Sequence, residues 1–145
     1  MPDSVREQTT IAAPPEAVLA VLLDLESYPS WARGLKEATV LSRDEEGRAH
    51  EVRFRAAGMG YSTSYTLAYD HAGAPERLAW VLVEGDVMRR LDGEYRFIAG
   101  DGGTEITYAL AVELVVWLPG FVKRRVEARI VTTALAELKR RCEGS

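Results

Sequence analysis

One change of pattern limits the folds open to this chain more than any other feature. From about residue 38 to residue 113, apolar and polar residues alternate within short segments, as they do in half-buried strands. After Leu118-Pro119-Gly120, residues 119–141 follow a helical period, which corresponds to a helix about 33 Å long. A twisted antiparallel sheet with one apolar face needs a cover, and this helix is long enough to supply it.

The segment before the sheet predicts one strand and two short helices. Residues 4–12 are rich in β-forming types, and Pro14-Pro15 suits the first turn of a helix, where N–H groups lack partners anyway. Tyr28-Pro29 ends this helix, since a residue before proline avoids helical angles, and one further turn follows. We therefore predict an α+β fold in a single domain over residues 1–145. A curved antiparallel sheet of about seven strands wraps around the long C-terminal helix, with the two short helices after the first strand.

The long helix has an apolar side and a charged side, and we expect the apolar side to face the sheet. The apolar side comprises Phe121, Val122, Val126, Ile130, Ala134, Leu135 and Leu138. The charged side comprises Lys123, Arg124, Glu127, Glu137, Lys139 and Arg140. The run Lys139-Arg140-Arg141 is typical of the cations that offset the dipole at a helix C-terminus.

Composition excludes several kinds of site. The single cysteine, Cys142, excludes an internal disulfide and any metal site built from several cysteines. A net charge of −4 argues against nucleic acid as a partner, because phosphate binding needs clustered, uncompensated cations. Two histidines leave little for zinc, and we expect neither a metal nor a cofactor. Because neither a signal peptide nor a membrane-spanning run is visible, we expect a cytoplasmic protein.

A cavity is expected wherever the helix does not fill the curve of the sheet, and such a cavity is a natural ligand site. Taken singly, each aromatic residue on the strands is explained equally well as ordinary core. As a set they favour a lined cavity, because a buried phenol needs a hydrogen-bond partner that an apolar core rarely supplies. The set comprises Tyr61, Tyr65, Trp80, Tyr95, Phe97 and Tyr108.

Tyr28 and Trp31 follow the first helix, and two interpretations stay open for them. They either end the helix and pack at the edge of the core, or form the portal of a ligand site. We predict that the residues in contact with a ligand are Tyr28, Trp31, Phe54, Tyr65, Trp80, Tyr95, Phe97, Tyr108, Phe121, Val126 and Ile130.

Four short runs of residues punctuate nearly the whole chain. They are Ala13-Pro14-Pro15-Glu16-x-Val18, Asp24-Leu-Glu-Ser-Tyr28-Pro29-Ser-Trp31, Leu91-Asp-Gly93-Glu-Tyr95-Arg-Phe97 and Gly103-Thr104-Glu105. Their pattern resembles that of the polyketide cyclase/dehydrase family, which includes coenzyme Q-binding relatives and belongs to the START/Bet v 1-like helix-grip (SRPBCC) superfamily. The resemblance implies a helix-grip fold with a deep hydrophobic cavity for a lipid, quinone, sterol or polyketide. Some members of the family cyclise or dehydrate a ligand held there.

Candidate acids and bases are sparse, and we assign no catalytic residue. His50 has the parity of Val52 and either faces inward near the sheet edge or lies at the surface, while His71 falls in a loop and is expected in solvent. Glu84 and Arg89 flank a hairpin and are expected to pair at the surface. No cation lies on the face of the strand that carries Tyr65, where an enzyme of this family would be expected to hold one.

The segment Leu114–Val122 is apolar and leads directly into Lys123-Arg124-Arg125. It is either a strand end and helix start that is partly buried, or a surface that makes transient contact with an anionic membrane. We predict that the protein binds a small hydrophobic molecule, such as a lipid, quinone, isoprenoid or polyketide, for transport or presentation. The alternative is a polyketide cyclase, aromatase or dehydratase acting in the same cavity.

Overall fold

A computed structural model describes residues 5–58 and 61–144 of the chain, without the side chains of Gly58 and Tyr61. It contains seven strands, two α-helices and a 3-10 helix. In chain order these are β1 (Val5–Ile11), α1 (Pro15–Leu23), the 3-10 helix (Leu25–Ser30), β2 (Leu35–Val40), β3 (Glu51–Gly58), β4 (Tyr61–Asp70), β5 (Arg77–Gly85), β6 (Met88–Gly100), β7 (Gly103–Leu114) and α2 (Gly120–Glu143).

The seven strands form one antiparallel sheet in the order β1-β7-β6-β5-β4-β3-β2. Strands β2 to β7 follow one another as hairpins, whereas β1 pairs with β7, from Val5 opposite Leu110 to Ile11 opposite Thr104. The sheet curves around α2, and the predicted α+β helix-grip fold is confirmed.

One glycine is required where β1 meets β7. Gly103 has a φ of +141°, and a Cβ at this position would collide with the carbonyl oxygen of Ile11. Only glycine accepts both the backbone angle and the contact. The sharp turn from β6 into β7, and with it the docking of β1, therefore depends on this residue.

Helix α2 packs on β1, β7 and α1, and hydrogen bonds from its C-terminal half fix it there. The carboxylate of Glu143 accepts a hydrogen bond of 2.7 Å from the Ala12 amide, and Lys139 Nζ donates one of 2.6 Å to the Thr10 carbonyl. Among the residues that the structure describes, no helix is both long and apolar enough to cross a membrane.

In the N-terminal half of α2 the buried face is rotated by about one residue from the predicted one, whereas Leu135 and Leu138 are buried as predicted. Its fully buried residues are Glu127, Val131, Leu135 and Leu138. Phe121 is 60% exposed and Ile130 is 37% exposed, while Val122, Val126 and Ala134 are half-buried. The prediction failed because it assigned every charged residue to solvent, whereas Glu127 lies at the centre of the contact with β7.

Candidate functional site

The concave side of the sheet carries two groups of aromatic rings, and the first is a series that runs from the end of the 3-10 helix to β4. It begins at the half-buried Trp31, whose ring centroid lies 5.0 Å from that of Tyr28. Tyr28 contacts Phe54 at 6.0 Å, and Phe54 contacts Tyr65 on the next strand at 5.6 Å. Tyr28 therefore contacts Phe54, a residue of the sheet that was predicted to share a site with it, and Trp31 contacts Tyr28.

A second aromatic group lies toward the centre of the sheet. The Trp80 ring lies 5.7 Å from that of Tyr69, 5.4 Å from that of Tyr95 and 5.7 Å from that of Tyr108. Tyr95 also stacks on Phe97 at 6.4 Å. All five side chains are buried, so the alternating pattern of the strands correctly identified the inward face.

Gly93 makes room for the indole of Trp80 within this group. The two residues are paired across β5 and β6, and a Cβ on Gly93 would lie 2.6 Å from Cζ2 of Trp80. A side chain here would therefore move the tryptophan ring away from the three tyrosines that it contacts. The family motif around Leu91–Phe97 thus shapes the concave surface.

The phenolic hydroxyls of this surface are its main polar groups. The Tyr28 hydroxyl donates a hydrogen bond of 2.6 Å to the Leu22 carbonyl. Within residues 5–58 and 61–144, the hydroxyls of the four other concave tyrosines have no protein partner. In the same part of the chain, the one fully buried side-chain atom without a partner is Nδ1 of His71, so these four oxygens are not sealed within packed protein. The four are Tyr65, Tyr69, Tyr95 and Tyr108.

All five phenols stay protonated at neutral pH. Burial raises the pKa of each of them, and mutual repulsion between several of the ionised forms raises the pKa of Tyr69 and Tyr108 further. The rings of Tyr95 and Tyr108 lie 4.5 Å apart, so two of these hydroxyls belong to neighbouring side chains. A cluster of neutral hydroxyls can donate hydrogen bonds to carbonyl oxygens or accept them from hydroxyls.

Glu127 is a polar residue of this interior that the sequence prediction missed. It is 1% exposed, and its Oε2 accepts a hydrogen bond of 2.8 Å from the amide of Val112. The spacing of Val131, Leu135 and Leu138 places Glu127 on the same helix face, four residues before Val131. That spacing was the sequence feature from which the burial of Glu127 could have been predicted.

The structure decides between the two positions left open for His50 and corrects the expectation for His71. His50 is exposed, so it does not face the interior. His71 is buried, which corrects the expectation that it lies in solvent, and its Nε2 donates a hydrogen bond of 2.7 Å to the Ala49 carbonyl. The buried position results from a contact with a segment 22 residues away, which local sequence does not reveal.

Glu84 and Arg89 are both exposed, and among the described ion pairs there is none between them, so the predicted surface pair is not formed. Val126 is half-buried on α2, and Phe121 and Ile130 are exposed there. The aromatic series described above includes none of these three helix residues. Their contact with a ligand stays a prediction. The side chain of Tyr61, also predicted inward, lies outside the described residues.

The end of the fold where β7 leads into α2 exposes apolar side chains. Trp117 is 84% exposed, and Val116 and Phe121 are exposed beside it. Val115 bonds through its amide to the carbonyl of Val87 at 2.9 Å, which places the β5–β6 turn next to this segment. The guanidinium of Arg125 lies 5.8 Å from the Phe121 ring centroid.

Two depressions lie outside the concave face. A groove of about 520 Å³ crosses the outer face of the sheet, where Ala79 and Ala111 form part of its floor and Arg77 pairs with Glu94 at 2.7 Å. A crevice of about 260 Å³ lies between the 3-10 helix and α2. Its lining residues are Pro29, Ser30, Trp31, Arg33, Glu137, Arg140 and Arg141.

Solved structures of other proteins share this architecture. A START superfamily protein from Mycobacterium smegmatis is 21% identical, with a TM-score of 0.90 and 96% of each chain covered. A protein from Thermus thermophilus is 24% identical, with a TM-score of 0.80 and 96% of each chain covered. The Zhui aromatase/cyclase from Streptomyces sp. R1128 is 19% identical, with a TM-score of 0.81 over 96% of this chain and 92% of that one. These likenesses establish the fold.

No curated protein gives a significant match to the chain. The family model described as polyketide cyclase / dehydrase and lipid transport matches residues 2–143, which include all four motifs noted in the sequence and the whole aromatic concave face. The chain therefore belongs to the polyketide cyclase/dehydrase and lipid transport family.

Proposed function

We propose that the protein binds a small hydrophobic molecule against the aromatic concave face, for transport or presentation in the cytoplasm. The observation that carries this proposal is the set of four protonated tyrosine hydroxyls without a protein partner, on a surface of aromatic rings. A bound molecule with oxygen atoms would satisfy those hydroxyls, and its apolar surface would pack on the rings.

The charged groups of the interior limit which chemical classes of ligand can bind there. In the described part of the chain, no lysine or arginine is buried, and the one buried carboxylate belongs to Glu127. An anionic group placed among the tyrosines would therefore lose its hydration without gaining a counter-charge. The part of the ligand that lies in the interior is uncharged and carries carbonyl or hydroxyl oxygens, as quinones, polyphenols and polyketides do.

Calorimetric titration with two probes that carry the same decyl chain on a six-membered ring tests this proposal. Decylubiquinone carries ring oxygens, whereas decylbenzene does not. We expect the quinone to bind more tightly, and Tyr95→Phe with Tyr108→Phe to weaken quinone binding by about tenfold, because two hydrogen bonds are lost. Binding of decylbenzene should change little, since the rings remain. If neither probe binds, or if the tyrosine variants weaken both probes equally, the proposal is contradicted.

Chemistry on a bound molecule is the second candidate function, and Glu127 is the observation that favours it. Its buried carboxyl group lies on the helix that covers the concave face. A positioned carboxyl group can move a proton during cyclisation or dehydration. Incubation with a linear poly-β-ketone thioester would test this. Enzymatic cyclisation requires a rate above background that falls in Glu127→Gln without loss of binding, whereas a pure carrier would show no such rate.

Contact with a membrane surface is proposed for the same protein as its route for ligand exchange. The exposed side chains of Val116, Trp117 and Phe121 form an apolar surface at the β7–α2 junction, and Lys123 and Arg124 follow immediately. Apolar groups beside cations favour an anionic lipid surface, to which each nearby cation contributes about 1 kcal/mol.

A further inference from the structure

The crevice between the 3-10 helix and α2 brings together cations that are far apart in the sequence. Arg33 comes from the loop after the 3-10 helix, whereas Arg140 and Arg141 come from the last turn of α2. Within residues 5–58 and 61–144, none of these three arginines takes part in an ion pair, although ten such pairs are formed there.

One carboxylate lines the crevice against three guanidinium groups. It belongs to Glu137, whose Oε2 accepts a hydrogen bond of 3.2 Å from the backbone amide of Arg33. The crevice therefore keeps an excess of positive charge in a chain whose net charge is −4. Cations in the last turn of a helix offset its dipole, but that role does not require Arg33 on a separate element.

The crevice lies at the outer end of the aromatic series. Trp31 lines the crevice and also contacts Tyr28, which in turn contacts Phe54 on the concave face. A molecule that extended past Trp31 would have one end among exposed guanidinium groups and the other among buried rings. The outer groove offers no comparable arrangement, since Arg77 and Arg90 there are paired with Glu94 and Asp92.

We propose that this crevice is a binding site for the carboxylate or phosphate of an amphipathic ligand whose apolar part lies against the concave face. Planar guanidinium groups bind both kinds of anion through paired, charge-assisted hydrogen bonds. This inference rests on the proposed function, because it assigns the charged end of the same ligand. The described interior contains no buried cation, so a charged ligand would keep its charged group in the crevice and only its apolar part in the interior.

Three probes with the same chain test the proposal: laurate, lauryl phosphate and methyl laurate, titrated by calorimetry into the intact protein at low salt. We expect the two anions to bind the wild type about tenfold more tightly than the ester. In Arg140→Gln/Arg141→Gln this advantage should fall to about threefold or less, and Arg33→Gln should reduce it as well. Salt should weaken the advantage, because the guanidinium groups are exposed.

The matched control is Arg53→Gln/Arg129→Gln, which removes two exposed arginines outside the crevice that form no ion pair with described residues. It should keep the full advantage of the anions. Equal binding of acid and ester, or an advantage that survives in Arg140→Gln/Arg141→Gln, would overturn the crevice site and leave the proposed function intact. If no lauryl probe binds, the crevice site fails, while the quinone titration still decides the proposed function. Binding of inorganic pyrophosphate that depends on Arg140 and Arg141 would then make this a site for free anions instead.

Discussion

Glu127 is a buried polar residue that stabilises the contact between α2 and β7. Glu127 reaches the Val112 amide from the face of α2 that lies on β7, and so gives that amide a partner. A backbone N–H buried without a partner destabilises a fold by about 1–3 kcal/mol. Glu127 therefore contributes to stability in the absence of any ligand.

We expect Glu127→Ala to lower the free energy of unfolding by about 1–3 kcal/mol, because the Val112 amide loses its acceptor. Glu127→Gln should cost less, since its amide oxygen still accepts a hydrogen bond. Urea unfolding followed by circular dichroism measures both values, with Glu45→Ala on an exposed turn as the control. Equal stability of Glu127→Ala and the wild type would contradict this role.

Glu94 provides a pH-dependent contribution on the outer face of the sheet. Partial burial raises its pKa, but hydrogen bonds of 2.7 Å from both Arg77 and Arg96 outweigh burial, and the pKa is lowered on folding. The resulting stability is complete above the pKa of the unfolded chain and is lost as the pH falls through the folded-state value.

The stability difference between wild type and Glu94→Gln should therefore be largest near neutral pH and shrink as the pH falls below the usual pKa of a glutamate side chain, because Glu94 then becomes protonated. Urea unfolding at a series of pH values measures this difference. A difference that stayed constant across the series would show that the two arginines do not stabilise the ionised form.

Alternation along the strands was sufficient to predict which single residues face inward. Phe54, Trp80 and Tyr108 are buried as expected from that pattern. His71 was not predictable in this way, because its burial depends on the Ala49 carbonyl of a different strand connection. The tyrosine content did suggest that some buried hydroxyls lack a protein partner. Which hydroxyls these are depends on three-dimensional positions that the sequence does not specify.

Among the elements, α2 shows which properties of a helix can be predicted from sequence periodicity and which cannot. Its length and bounds were predicted to within two residues, as 119–141 against Gly120–Glu143. Its rotation was not, because Val122, Val126 and Ile130 recur every four residues and drift around the helix by about 40° at each step. The contact with the sheet is centred on Val131 and Leu135.

The β7–α2 junction is expected to govern exchange with membranes. Trp117→Ala combined with Lys123→Glu and Arg124→Glu removes an 84% exposed ring and reverses two charges. Transfer of a fluorescent fatty acid from vesicles rich in phosphatidylglycerol should slow by about tenfold or more, while affinity for the same probe added from detergent should change little.

The control for this experiment is Arg53→Glu/Arg129→Glu, which makes the same change of charge away from the junction. It should leave the rate of transfer from anionic vesicles nearly unchanged. With neutral vesicles, neither variant should change the transfer rate much. Transfer rates that depend neither on the junction variant nor on lipid charge would show that the segment only connects β7 to α2.

For the whole molecule, α2 is the cover without which the concave face meets water. It contacts β1 and β7 along its length, and the buried rings of β4 to β6 lie on the same side of the sheet. A chain ending after Trp117 would expose this surface, and we expect it to aggregate or to lose its cooperative thermal transition. Differential scanning calorimetry tests this prediction. A truncated protein that melted cooperatively would contradict it.

The pairing of β1 with β7 has a consequence for synthesis of the protein. Within the described part of the chain, the one sheet partner of Val5–Ile11 is a strand more than ninety residues later in the sequence. At ribosomal rates of about 5–20 residues per second, β1 waits roughly 5–20 seconds before that partner has been translated. Its central residues, Arg6, Glu7 and Gln8, are polar and exposed in the finished fold. We expect the same residues to keep the nascent strand from joining other unpaired strands during that delay.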